Sequence, residues 1–143
     1  MGGFVYARLV RYQRAEPPLK LDGPAAARSF FSGCFAEQDP RQESLWVVHL
    51  DGQARCLHVS RHDGDRGGVG MPVRSIVLDA ARHGSAAVLL AHNHPSGDPS
   101  PSESDLNSTR QLAAVSRALG CRLVDHLIFA GDRCASLSVL GYL

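Results

Sequence analysis

The run Ala86-Ala87-Val88-Leu89-Leu90-Ala91-His92-Asn93-His94-Pro95-Ser96-Gly97-Asp98-Pro99-Ser100-Pro101-Ser102-Glu103-Ser104-Asp105 decides how this chain is read. Its first six residues are apolar and bounded by turn formers, which is the pattern of a buried strand. From Glu103 onward Leu106, Leu112, Ala113, Val115 and Leu119 predict a helix, which Gly120 ends. The order is therefore strand, polar Pro/Gly/Ser loop, helix. Two imidazoles sit where the strand ends, and a hydroxyl and a carboxylate sit where the helix begins.

Working outward, Pro72 opens an earlier helix running to about His83, with Ile76, Val77, Ala80 and Ala81 inward and Gly84 as its stop. Before it, residues 61–71 (RHDGDRGGVGM) are polar and glycine-rich and read as a surface loop. Residues 45–50 and 54–60 are strand-like and flank Asp51-Gly52, a pair that favours a tight hairpin turn. Asp22-Gly23-Pro24 starts another helix, with Ala27, Phe30, Phe31, Cys34 and Phe35 on one face and Asp39-Pro40 as its end. Residues 4–12 are expected to form a strand. Downstream, residues 123–130 predict a strand, Gly131-Asp132 a turn, and residues 134–139 a last strand. Helices and strands in this order give an α/β fold around a mixed sheet flanked by helices.

At 143 residues the chain suits one domain, read as an N-terminal extension over 1–23 and a folded domain over 24–143. A net charge of +1 supplies no general field for nucleic acid or anionic lipid. No apolar run reaches the ~18 residues that span a bilayer. The N-terminus lacks the layout of a signal peptide, so a cytoplasmic protein is expected. Cys34, Cys56, Cys121 and Cys134 form no C-x-x-C pair and read as free core thiols.

On a strand, residues i and i+2 share a face, so His92 and His94 project together. A seven-residue loop can swing Asp105 back over the strand end. Two imidazole nitrogens and one carboxylate oxygen are a hydrolytic zinc donor set, with a fourth tetrahedral position left for water. Ser102-x-x-Asp105 is also a helix-capping pattern, and capping would aim the carboxylate rather than compete with it. Ser102 is placed to donate to a developing oxyanion. The base must come from outside this run, and Glu43, Glu37, Asp63 and Asp79 are equal candidates on sequence alone. His126, beside Asp125, is expected to order a ligand or the sheet. His49, His58, His62 and His83 show no ligand spacing, and Trp46 reads as core.

The stretch from His92 to Asp105 resembles the JAMM motif of the JAB/MPN+ metalloprotease superfamily. The longer run His-Asn-His-Pro-Ser-Gly-Asp-Pro-Ser-Pro-Ser, with Leu123-Val124-Asp125-His126 and Ser136-Leu137 downstream, resembles the RadC branch in particular. The resemblance covers residues 24–143 and implies a cytidine-deaminase-like MPN/JAB fold. It implies a zinc-dependent hydrolase of peptide or isopeptide bonds, with a peptide or protein substrate. It further implies that His92, His94 and Asp105 bind Zn2+, that Glu43 is the general acid/base acting on the zinc-bound water, and that Ser102 steadies the oxyanion. RadC proteins typically carry a helix-hairpin-helix module, for which the residues before Pro24 leave no room. The family's Arg-Gly-Thr stretch is replaced by the looser residues 61–71, and the Arg-Glu after the helix-opening proline by Val73-Arg74-Ser75.

The alternative is a DNA-repair-associated factor acting on nucleic acid without protease activity. Near-neutral charge and 6% aromatic residues argue against it. Zinc deaminases expect His-x-Glu with Pro-Cys-x-x-Cys, which this chain lacks.

Overall fold

A computed structural model of the chain describes residues 19–65 and 68–143. The strand expected over residues 4–12 lies outside them. The described elements are α1 (Pro24–Ala36), β1 (Ser44–Leu50), β2 (Cys56–Asp63), α2 (Val73–His83), β3 (Ala87–Asn93), α3 (Glu103–Ala118), β4 (Arg122–Ala130) and β5 (Arg133–Ser136). The sheet order is β2-β1-β3-β4-β5. The β3–β4 pair is parallel and the other three pairs are antiparallel. The mixed α/β expectation holds.

β1 is buried along its whole length. That requires cover on both faces, because successive side chains alternate. Trp46, Val48 and Leu50 pack with Phe30, Phe31 and Cys34 of α1. Leu45 and Val47 pack with Ile76 and Ala80 of α2 and with Leu112 of α3. Helices thus cover both sides of the sheet, in three layers. Leu21, within the expected extension, is 4% exposed and already belongs to the α1-side core.

Three local expectations need correction. Asp51-Gly52 does sit in a β1–β2 hairpin, but the connection is longer than a tight turn and runs over residues 51–55, with β2 starting at Cys56. The Asp51 carboxylate accepts from the Gln53 and Arg55 N–H groups at 2.8 and 3.0 Å, and Ala54 takes the left-handed conformation at φ 62°. Aspartate thereby organises a longer turn through its side chain. The last strand stops at Ser136 instead of Val139, because Ser138 N–H and the Ser136 hydroxyl both turn in to Asp125. The glycine-rich loop is not purely surface: β2 extends through Asp63, and Val69 and Met71 pack on the α2/α3-side core.

The first helix also ends slightly early, at Ala36. The free-thiol reading holds: none of the cysteines is paired, and burial pushes the Cys56 thiol up to about 11. Among the described residues no helix is long and apolar enough to cross a membrane.

Candidate metal centre

Register creates the site. β1 and β3 run antiparallel with Leu45 opposite His92. Continuing that register by two residues places Glu43 opposite His94. His92 follows Val88 and Leu90 on the α2/α3 side of the sheet, which is where α3 begins. Ser102 is the N-cap of α3, and its hydroxyl oxygen accepts the Asp105 N–H at 3.0 Å. Asp105 Oδ2 accepts the Ser102 N–H at 2.9 Å in return. This reciprocal capping box fixes the carboxylate against the end of β3.

The four groups converge. His92 Nε2 and His94 Nε2 are 2.9 Å apart. Asp105 Oδ1 lies 3.4 Å from the first, and Oδ2 lies 3.2 Å from the second. Glu43, His92 and His94 present ligand atoms all within 4.8 Å of one another, a candidate metal-binding group. Of the carboxylates open on sequence alone, Asp79 instead faces His58 at 3.5 Å and Asp63 is bonded to Ser44 and Arg61.

Hydrogen bonding determines what these nitrogens offer. The Thr109 hydroxyl gives its one hydrogen to the Asp105 carbonyl at 2.6 Å. It can then only accept from His126 Nδ1, 2.7 Å away. His126 Nε2 is therefore the acceptor for His92 Nδ1–H, also at 2.7 Å. That leaves a lone pair on His92 Nε2. His94 Nδ1 donates to the Asp98 carbonyl at 2.8 Å, which leaves a lone pair on His94 Nε2 as well. Two lone pairs and a carboxylate thus face one another with no hydrogen between them. Only a cation, a proton or a metal ion, relieves that arrangement, and the residues present fit a metal of imidazole and carboxylate preference.

The electrostatics agree. Burial alone would raise the Asp105 pKa, but its hydrogen-bond and charge interactions with His92, together with the hydrogen bonds from Ser102, outweigh it and hold the carboxyl well below its ordinary range. Burial also holds His126 well below the ordinary imidazole range, so it stays neutral and serves as an orienting group. Thus His126 orients the His92 ring, and Thr109 is its unforeseen partner.

A second positioning residue escaped the sequence reading. Asn93 is 8% exposed, and its side chain bonds to the main chain on both sides of Glu43. The Glu43 carbonyl in turn accepts the Gly64 N–H at 2.9 Å. Gly68, at φ +95°, passes so close that a Cβ there would meet Glu43 Oε2 at 3.2 Å. Val69, Gly70 and Met71 line a small cavity with His92, Asp105 and His126. Residues 68–71 therefore lie over the site. The only sequence signal for these roles was the placement of Asn93 between the two histidines.

A second histidine group stands apart, with His49 and His58 on the sheet and His83 at the end of α2. His49, fully buried, bonds Ser85 at 2.9 Å, while among the described residues its Nε2 has no partner. His58 and His83 stack with centroids 4.3 Å apart. Burial lowers the His49 pKa to about 4, helped by His58.

Residues 21–142 match the RadC-like JAB domain. A UPF0758 protein of Bordetella petrii is 47% identical over 140 residues, covering 96% of this chain and 60% of that protein. UPF0758 proteins of Chloroflexus aurantiacus and Geobacter sulfurreducens are 38% and 36% identical, over 70% and 76% of this chain. The chain spans 44% to 60% of the length of these three relatives. With a match across nearly its whole length, on the fold and site just described, this chain belongs to the RadC-like JAB domain family.

Proposed function

We propose that this domain is a zinc-dependent hydrolase of peptide or isopeptide bonds, acting on a peptide or protein substrate in the cytoplasm. The observation that carries the reading is the convergence of the His92 and His94 lone pairs with the Asp105 carboxylate, next to Glu43. His92, His94 and Asp105 would hold the ion. When bound, zinc supplies a Lewis acid and brings the pKa of water toward ~7.

The chain's own residues supply the rest. Among the described residues, the Glu43 carboxylate has no hydrogen-bond donor, so it is free to take a proton from the attacking water and return it to the leaving amine. The Ser102 oxygen is occupied as an acceptor, but its hydrogen is not committed and can donate to the oxyanion. Asn93 and Gly64 keep Glu43 at the mouth of β1, and Val69, Gly70 and Met71 wall one side of the cavity beside the centre. Unpaired thiols suit a reducing compartment.

The decisive experiment pairs metal analysis with a peptide and isopeptide library screen. The expected result is about one zinc per chain, lost in His92→Ala, and turnover that Glu43→Gln abolishes while the metal remains. Zinc below half occupancy and indifferent to His92→Ala would sink the site. Turnover unaffected by Glu43→Gln would sink the mechanism.

A further inference from the structure

The far end of α3 carries a feature that the metal centre does not use. Arg110, Ala113, Ala114 and Arg117 are spaced i, i+3, i+4 and i+7, so they share one helical face. With Arg122 at the start of β4, and Leu123, Tyr142 and Leu143, they line a cleft of about 600 Å3. Leu123 and Cys121 are buried at its base, while the three arginines are exposed around it. No acidic side chain lines it. Among the described residues none of the three guanidiniums pairs with a carboxylate; Arg110 lies over the Tyr142 ring, 5.7 Å from its centroid.

Several cations elsewhere on this surface are neutralised locally, Arg41 by Asp39, Arg55 by Asp51, and Arg61 by Asp63. The chain's net charge is only +1, so the cluster is a local concentration and not part of a general basic field. Arginine presents a fork that matches carboxylates in pairs. The small side chains of Ala113 and Ala114 leave a trough between Arg110 and Arg117, and its base is apolar.

We propose that this cleft docks an acidic peptide segment of a protein partner, its carboxylates on the three arginines and its interleaved apolar residues in the trough. Single-stranded nucleic acid is the poorer fit. It needs a series of stacking faces, and the cleft is lined by a single aromatic ring, Tyr142, with Arg110 lying over it. The inference stands apart from the metal chemistry, since about 18 Å of helix separates Arg117 from Asp105.

The test is fluorescence anisotropy of the full chain with a labelled peptide alternating Asp or Glu with Leu. Comparison probes are the same peptide with Lys at the acidic positions and a labelled single-stranded oligodeoxynucleotide. The acidic peptide is expected to bind saturably and more weakly as salt rises. Arg110→Glu with Arg117→Glu should weaken it by about tenfold or more. Ala114→Trp fills the trough without changing charge and should weaken it too. All three positions are on the helix surface, and circular dichroism melts confirm that each variant is folded. Equal binding of the Lys peptide, affinity unchanged in the arginine variant, or tighter binding of the oligonucleotide would overturn the proposal.

Discussion

Asn93 grips the main chain beside Ser44: its side-chain carbonyl accepts the Ser44 N–H at 2.8 Å, and its amide donates to the Gln42 carbonyl at 2.9 Å. Glu43 is bracketed by those two bonds. The residue between the two histidines therefore sets the position of a carboxylate on another strand. Asn93→Ala should leave zinc stoichiometry intact while hydrolysis falls toward the Glu43→Gln level. It should also cost about 1–3 kcal/mol of stability, because the Ser44 N–H is left buried without an acceptor. Metal analysis, turnover and urea unfolding of one preparation check all three.

Thr109 controls His92 without touching it. Thr109→Val keeps the shape but removes the acceptor for His126 Nδ1–H, so the tautomers of His126 and His92 are no longer imposed. Zinc affinity should fall about 10–100-fold, and Thr109→Ser should restore it. Nitrogen-15 NMR of metal-free protein gives an independent reading. In the parent, His92 Nε2 should carry the lone pair, and in Thr109→Val it should show mixed tautomers.

Acid should weaken the fold through His49. Its folded pKa is lowered from 6.5 to about 4 by burial, helped by His58. The unfolded chain therefore takes up a proton first as pH falls. The stability that neutral His49 contributes is complete above 6.5 and is lost progressively between there and about 4. The loss amounts to at most about 3 kcal/mol. Burial lowers His58 and His62 in the same direction, which steepens the slope. Urea unfolding of the parent and of His49→Phe over this range isolates the effect, since any acid sensitivity of the metal centre is common to both. Stability in the parent that rises on acidification relative to His49→Phe contradicts the assignment.

Two glycines beside Glu43 should respond differently. At Gly64 a Cβ would lie 2.5 Å from the Gly68 carbonyl carbon, which is backbone and cannot swing away. Gly64→Ala should therefore open the turn and cost roughly 1–3 kcal/mol. At Gly68 the nearest atom is the end of the Glu43 side chain, and φ is +95°. Gly68→Ala should cost about 1 kcal/mol for the backbone but displace Glu43, so turnover drops more than stability. Thermal melts beside turnover separate the two.

The parts legible in the sequence were those written in short-range spacing. The i, i+2 histidines on a strand end, and the Ser-x-x-Asp at a helix start, point to three of the converging side chains and to the capping device that aims one of them. The apolar run at 86–91 and the all-buried β1 gave the centre of the sheet. Glu43 was different. Its role depends on antiparallel register between β1 and β3, which composition does not encode, so only the family resemblance singled it out. The roles of Asn93, Thr109 and residues 68–71 depend on contacts made after folding. Asp51-Gly52 marked the hairpin correctly but not its length, because the Asp51 side chain, accepting two N–H groups, makes a longer turn more favourable than the tight one its type favours.

The bond between Ser44 and Asn93 spans 49 residues, whereas His92 and Asp105 lie within one short loop. Closing the longer segment costs about 1 kcal/mol more chain entropy, and such distant contacts form later. Assembly of the His92, His94 and Asp105 group and placement of Glu43 beside it are therefore separable in time. A chain that has closed only the short loop brings those three side chains together and still lacks Glu43. If the domain hydrolyses peptide bonds as proposed, the topology withholds its base until β1 has paired with β3.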